Sequence, residues 1–585
     1  MLSPRSFLLT ILLPAAFLGC KPSSSPTAKL AVRNETLGVL SDQIVATAMS
    51  RDGRHIASVA QRGARMTVLI DGKADAEYDE ILQTSLTFSP DQRRVAYVAA
   101  NATKQFVVVD SKEGPQYDGI FEGSLIFSPD GKRVVYAAQL GRKQLVVVDG
   151  LVGTAYDAVA ASSLRFSSDS LRLVYRVKNG QKVLVIADDK AGPECDDIPA
   201  SSLVFSPDGK RSAYAARIGE KWRVVVDGLA SSDYDGIGES SLKFSPNGKH
   251  IAYLAQNGAK WFAVVDDKRG PDFDSAGIGS MVFSSDGERL AYVAKKGGQE
   301  LVVVDNRADR TFEAIGRGSI VFSPDGTKLA YAAKKAEKRV VIVNGQEGPE
   351  FDEILEGSPT FSPDGTKLTY LAVRDRKQCV VINGRVDPEY DQVVTRTLIF
   401  SPDGKHVAYI AKNNEKEFIV ADGQASSEYY GIGKGSVMFT GNGRLVYVAA
   451  KNDQTQCVVV DGRAGPTFDG IARGSPVLSH NGEHIAYVAI KGQNRLVVFD
   501  NQQGPEYLGI WETTPIFSAD SRHVAYVALL DKKQFVVVDG KVGPEYDRIL
   551  MLPPAQLTFD AQGTLGYLAL RDKTIYRVSH TPLAP

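Results

Sequence analysis

The chain has 585 residues, enough for more than one core of ordinary domain size. Its 68 Lys plus Arg are balanced by 69 Asp plus Glu, which excludes the strongly basic surface typical of nucleic-acid binding. Hydrophobic content is 43%, that of a globular protein, and the four cysteines Cys20, Cys195, Cys379 and Cys457 are too few for a disulfide framework.

The first element is an address. Arg5 supplies a positive n-region, and the apolar stretch from Phe7 to Leu18 is too short to span a membrane, so residues 1–19 read as a signal peptide. Phe17-Leu18-Gly19-Cys20 follows and resembles the lipobox of bacterial lipoproteins, with Phe17 in place of the usual Leu. That resemblance implies a lipid on Cys20, attachment to a membrane through it and, with Lys21 next in line, sorting to the outer membrane. An ordinary secretory signal is the alternative, but Phe17-Leu18 offer no small residues for its cleavage site. Residues 20–35 read as a polar tether.

A repeat then runs to the C-terminus. Phe88, Phe127, Phe166, Phe205 and their successors to Phe517 recur every 39 residues, with Leu478 in one gap, Met49 one unit earlier and Phe559 after a three-residue insertion, giving fourteen units. In each, two strands flank a tight turn such as Ser128-Pro129-Asp130-Gly131. A third strand (Gln144 to Asp149) and a short fourth around Tyr156 follow. Runs such as Phe106-Val107-Val108-Val109 are apolar on both faces, which a two-layer sandwich does not produce. Sheets buried on both faces need a neighbour on each side, so the expected fold is an all-β propeller of fourteen four-stranded blades. Thr36 to Leu40 is a spare strand at one end and the last unit lacks its fourth, which predicts closure by strand exchange.

The Phe-Ser-Pro-Asp-Gly-Lys turn followed by Val-Val-Val-Asp-Gly is similar to the WD-like repeat of TolB-type propellers, over residues from about 45 to 578. Phe stands where that family has Trp, and the Gly-Pro-Glu-Tyr-Asp flavour of Gly543 to Asp547 is unusual for it. The resemblance implies seven-bladed rings, hence two propellers at 36–308 and 309–580, divided at residues 306–311 where Gly-Pro is missing. One large closed ring is the alternative.

No catalytic motif emerges. His55, His250, His406, His484 and His523 share one repeat position and cannot converge on a metal, and no elbow, zinc helix, P-loop or calcium ladder is present. No cofactor is expected. Asp79, Asp118, Asp157, Asp235 and Asp547 sit beside the fourth-strand Tyr as structural groups, and Trp222 and Trp261 are packing residues. Variation is concentrated in the loops between fourth and first strands, where Phe121, Gly238, Leu355 and Trp511 occupy one repeat position. Trp511, Phe121 and Leu355 are therefore the candidate anchors for a partner. The expected function is a lipid-anchored, non-enzymatic cell-envelope scaffold binding a protein or glycan. The alternatives are an envelope lyase or hydrolase with a central-channel site, or a structural spacer.

Overall fold

The computed structural model describes residues 30–39, 43–355, 357–551 and 556–582. The signal peptide and Cys20 lie outside the described residues. Fourteen antiparallel sheets follow one another along the chain, interrupted only by three single-turn 3-10 segments among the described residues. We number these blades 1 to 14.

Blade 3 shows how the sequence makes a sheet. Its second strand, Val134–Leu140, pairs with a third, Lys143–Val148, and this with a short outer strand at Leu151–Val152. The inner strand comes in two pieces, Gly119–Ile120 and Ile126–Phe127, both paired with the second strand. Ile120 stands opposite Ala138 and Ile126 opposite Val135, so the inner strand carries three extra residues and bulges. Ser124 pins the bulge: its hydroxyl donates to the Phe121 carbonyl at 2.6 Å and accepts from the Ala137 amide at 3.0 Å.

This differs from the expected strand plan. Tyr117 to Phe121 reads as one fourth strand, but the backbone changes blades within it. Tyr117 bridges Gln105 of blade 2, whereas the Asp118 amide already donates to Gln139 of blade 3. The loops expected between fourth and first strands are thus bulges within inner strands. They lie where the blades converge. Thr84 on the bulge of blade 2 donates to Glu122 on that of blade 3 at 3.1 Å, and a Cβ on Gly474 in blade 12 would sit 3.8 Å from the Glu512 carbonyl in blade 13.

Burial on both faces is as the apolar runs predict: Val95 through Ala100 and Phe106 through Val108 are all buried. Second-strand tyrosines are most of the largest fully buried side chains, and many meet an aromatic of the preceding blade edge-on, as Tyr136 meets Tyr117 at 6.1 Å. The recurring Phe anchors are mostly half-buried instead, at the inner edge; Arg289 stacks over Phe322 at 5.2 Å.

The blades form one ring. Each junction carries an apolar core, and the 7/8 junction, where a division was expected, is no exception: Ala291 and Val302 pack on Phe312, Ile320 and Tyr331. Residues 307–312 are the outer strand of blade 7 and no linker. Blade 1 packs on blade 14 through Met49, Ile56, Leu568 and Ile575, so the circle closes once, around fourteen blades. Two seven-bladed rings are the expectation corrected here. Ring size follows from the wedge angle between packed sheets, which the repeat length does not encode.

Strand exchange closes the ring as predicted. Leu30–Val39 pairs antiparallel with Thr574–Pro582 and becomes the outer strand of blade 14. Pairing begins inside the stretch expected as tether, because residues 30–35 have a free strand edge to cover. A polar latch reinforces the seam. Arg54 pairs with Asp560 at 3.0 Å, and Arg577 reaches Glu35 at 3.1 Å, the Arg54 carbonyl at 2.8 Å and Asp71.

Candidate functional site

The turn face is largely consumed by its own structure. Ser128 donates to Asp130 at 2.6 Å and accepts from the Arg133 amide at 3.0 Å, closing the Ser-Pro-Asp-Gly turn. In blades 8, 9 and 10, such hydrogen bonds from Ser323, Ser362 and Ser401 hold Asp325, Asp364 and Asp403 down to about 2. Immediately before the second strand of blades 1 to 13 stands Arg, His or Lys. Arg94 donates to Asp110 at 2.7 Å in its own blade and to the Lys132 carbonyl in the next.

The five equivalent histidines perform the first half of that role. Their Nδ1 atoms lie 2.5 to 2.8 Å from Asp71, Asp266, Asp422, Asp500 and Asp539. Their structural assignment from spacing is therefore borne out. Blades 8 and 9 vary both partners together. Lys328 and Lys367 reach across to the Gly365 and Gly404 carbonyls at 3.0 and 3.1 Å, and the acid they leave behind is Asn344 or Asn383. A lysine that points to the next blade leaves no charge for an aspartate to balance.

The opposite end is similarly tied. Asp118 accepts from Lys104 of blade 2 at 2.6 Å and from the Gly141 amide of blade 3 at 2.6 Å, and Asp157 repeats this with Lys143 and Gly180. These bonds hold both carboxyls below the usual carboxylate range. The aspartates beside the tyrosines are thus junction pins. Cys195, Cys379 and Cys457 are buried free thiols, and burial pushes Cys379 up to about 11.

The three candidate anchors are half-buried at equivalent bulges in three separate blades. Phe121 packs at the 3/4 junction, Leu355 at 9/10 and Trp511 at 13/14, so they do not form one site. Trp511 differs by bordering a groove of about 440 Å³, lined also by Arg495, Ile510, Glu512, Val527 and Leu529. A groove of this size suits a small ligand or a short chain segment.

Arg495 was not singled out in the sequence, although the repeat marks it. The corresponding third-strand residue is Gln or Glu in seven blades, and its side-chain oxygen accepts from an inner-strand amide of the next blade. Gln105 takes Ile120, Gln378 takes Val393 and Gln534 takes Ile549, at 2.7, 2.8 and 2.7 Å. Arg495 faces Ile510 in that place, and a guanidinium has donors only. Among the described residues it makes no side-chain hydrogen bond or ion pair. The groove therefore combines an apolar wall, a half-buried free cation and an amide whose usual acceptor is replaced.

No family model and no curated protein matches the chain. Solved structures with detectable likeness include a eukaryotic initiation factor (12% identity, 54% of this chain and 89% of that one, TM-score 0.26). Another is a dihydro-heme d1 dehydrogenase (15%, 54% and 77%, TM-score 0.23). A third is the β-propeller domain of Cps50 (Swd1) from Myceliophteria thermophila (11%, 46% and 99%, TM-score 0.19). At such overlaps none of them informs function, and the fold assignment rests on the fourteen sheets themselves: the chain is a β-propeller.

Proposed function

We propose that this protein is a lipid-anchored binding scaffold of the cell envelope, closer to the WD-like blades of TolB-type propellers than to an enzyme, and that it captures a protein or glycan partner at the inner-strand bulges. The observation that carries the reading is the groove beside Trp511, where Arg495 replaces the Gln or Glu that closes the equivalent point in seven blades. Specific recognition needs such irregularity, with a large side chain framed by polar groups. The membrane half rests on the apolar stretch before Gly19-Cys20.

Two measurements test it. Cys20→Ser is expected to release the protein from the membrane fraction; unchanged fractionation would remove the lipid anchor from the proposal. Partners captured from detergent-solubilised envelope by the wild type should bind Trp511→Ala more weakly, by about 1–3 kcal/mol. Equal capture by both would move the binding surface away from the groove.

A further inference from the structure

We propose that the groove between blades 12 and 13 binds a carboxylate carried on an apolar body, with the carboxylate at Arg495 and the Ile510 amide and the body against Trp511. The inference rests on the binding role just proposed for that groove and adds the chemistry of its occupant.

The argument comes from the ring's own junctions. At the 7/8 junction, Glu300 sits at the position equivalent to Arg495, and its carboxylate accepts from the Ile315 amide at 2.8 Å. At the 10/11 junction, Glu417 does the same for Ile432 at 2.7 Å. The backbone at this place is thus shaped to donate to a carboxylate. In blade 12 that carboxylate is absent from the chain, and a guanidinium stands in its stead. The Ile510 amide and Arg495 are both donors, so the pair can be satisfied together only by an acceptor from outside, and a carboxylate offers two oxygens to do it.

The surroundings favour an anion with an apolar attachment. The groove walls are Ile510, Trp511, Val527, Ala528 and Leu529. Neighbouring bulges are basic: Arg396, Lys434 and Arg473 stand exposed on blades 10, 11 and 12. Together they raise the local potential for an arriving anion. Glu512 is an exposed residue at the groove edge, where it disfavours a second negative charge. A monoanion therefore fits better than a polyanion. The same donor pair recurs in blades 8 and 9 as Arg339 and Ile354, where Leu355 replaces the tryptophan.

The test uses the full folded chain and three probe pairs read by calorimetry: octanoate against 1-octanol, octanoate against octylamine, and an apolar pentapeptide with a free against an amidated C-terminus. The first two pairs report a free acid and the third a chain-terminal carboxylate. At least one carboxylate probe should bind, at least tenfold more tightly than its uncharged or cationic counterpart. Arg495→Gln, which installs the side chain found at other junctions, should fold normally and lower that affinity at least tenfold, because the glutamine closes the site on Ile510. Arg495→Lys should retain part of it. Equal binding of charged and uncharged probes, no binding of any carboxylate probe, or undiminished binding by Arg495→Gln would each overturn the inference. If that happens while partner capture still depends on Trp511, only the occupant's chemistry is wrong; if capture is also independent of Trp511, the proposed binding surface falls with it.

Discussion

At the junction of blades 7 and 8, Ala291 and Val302 meet Phe312, Ile320 and Tyr331 in a continuous apolar core. At the junction of blades 14 and 1, the core among the described residues is Met49, Ile56, Leu568 and Ile575, and charged groups do much of the joining: Arg54 with Asp560, and Arg577 with Glu35 and Asp71. The first joins sequence neighbours and forms locally. The second joins residues 506 positions apart, so its formation costs the loop entropy of almost the entire chain. Where the chain already holds two blades together, an extensive apolar core is accompanied by surface pairs such as Arg310 with Glu347 and Lys104 with Asp118. Where it does not, the seam adds a shared strand and the ion pairs of Arg54 and Arg577.

Separating the blades at each place is the strongest way to break this comparison. Fragments 36–308 and 309–580, made separately, are expected to aggregate, since each exposes the apolar faces of two terminal blades. A soluble fragment 36–308 with its own cooperative thermal transition would show that seven blades can close. Removing residues 30–39 is expected to destabilise the whole chain more than any substitution below, because Thr574–Pro582 then becomes an unpaired edge. An unchanged melting temperature would mean that the exchanged strand is dispensable.

Single residues sharpen the contrast. Tyr331→Ala, at the 7/8 junction, should cost about 3–5 kcal/mol, as expected for a large buried aromatic. It also removes the 2.7 Å hydrogen bond to Asp309, and its cost should be nearly independent of salt. Phe322→Ala should cost less, because that ring is half-buried. Arg577→Ala, at the seam, should cost about 1.5–3 kcal/mol, the range for hydrogen bonds to charged groups, and this cost should shrink as salt is added. Denaturant titrations at low and high ionic strength check both; equal salt dependence would erase the distinction.

The smallest expected effect is acid sensitivity of the seam. Burial raises the Asp71 carboxyl, but hydrogen bonds from His55 and the Ile56 amide, with the charge of Arg577, outweigh it and leave the group below its ordinary value. A depressed carboxyl contributes stability above its unfolded pKa of about 3.9 and loses it as pH falls through the folded value. Amide protection of residues 30–39 should therefore fade below about pH 4 before that of the 7/8 junction does. Simultaneous loss at both would show that the latch carries no special share of closure.

Local features were legible because they are local. The 39-residue period, the Ser-Pro-Asp-Gly turns and the doubly apolar strands each follow from residues a few positions apart, and together they call for blades stacked in a closed array. The spare strand at one end and the missing one at the other foretold the exchange that Leu30–Val39 makes. The equivalent histidines could be assigned to structure from spacing alone, as could the aspartates beside the tyrosines.

The tertiary structure decided the rest. Whether fourteen blades close once or twice depends on a small angle between packed sheets, repeated fourteen times, and no residue encodes that angle by itself. The point at which Tyr117 and Asp118 part company, one pairing with each blade, depends on which strand edges are near, so the bulges looked like loops. Trp511 could be picked from its size, but Arg495 gained meaning only beside Ile510, an amide from the next blade that Gln or Glu satisfies at other junctions. Sequence determines what each repeat can donate or accept; the contacts between repeats determine which of those groups is left without a partner.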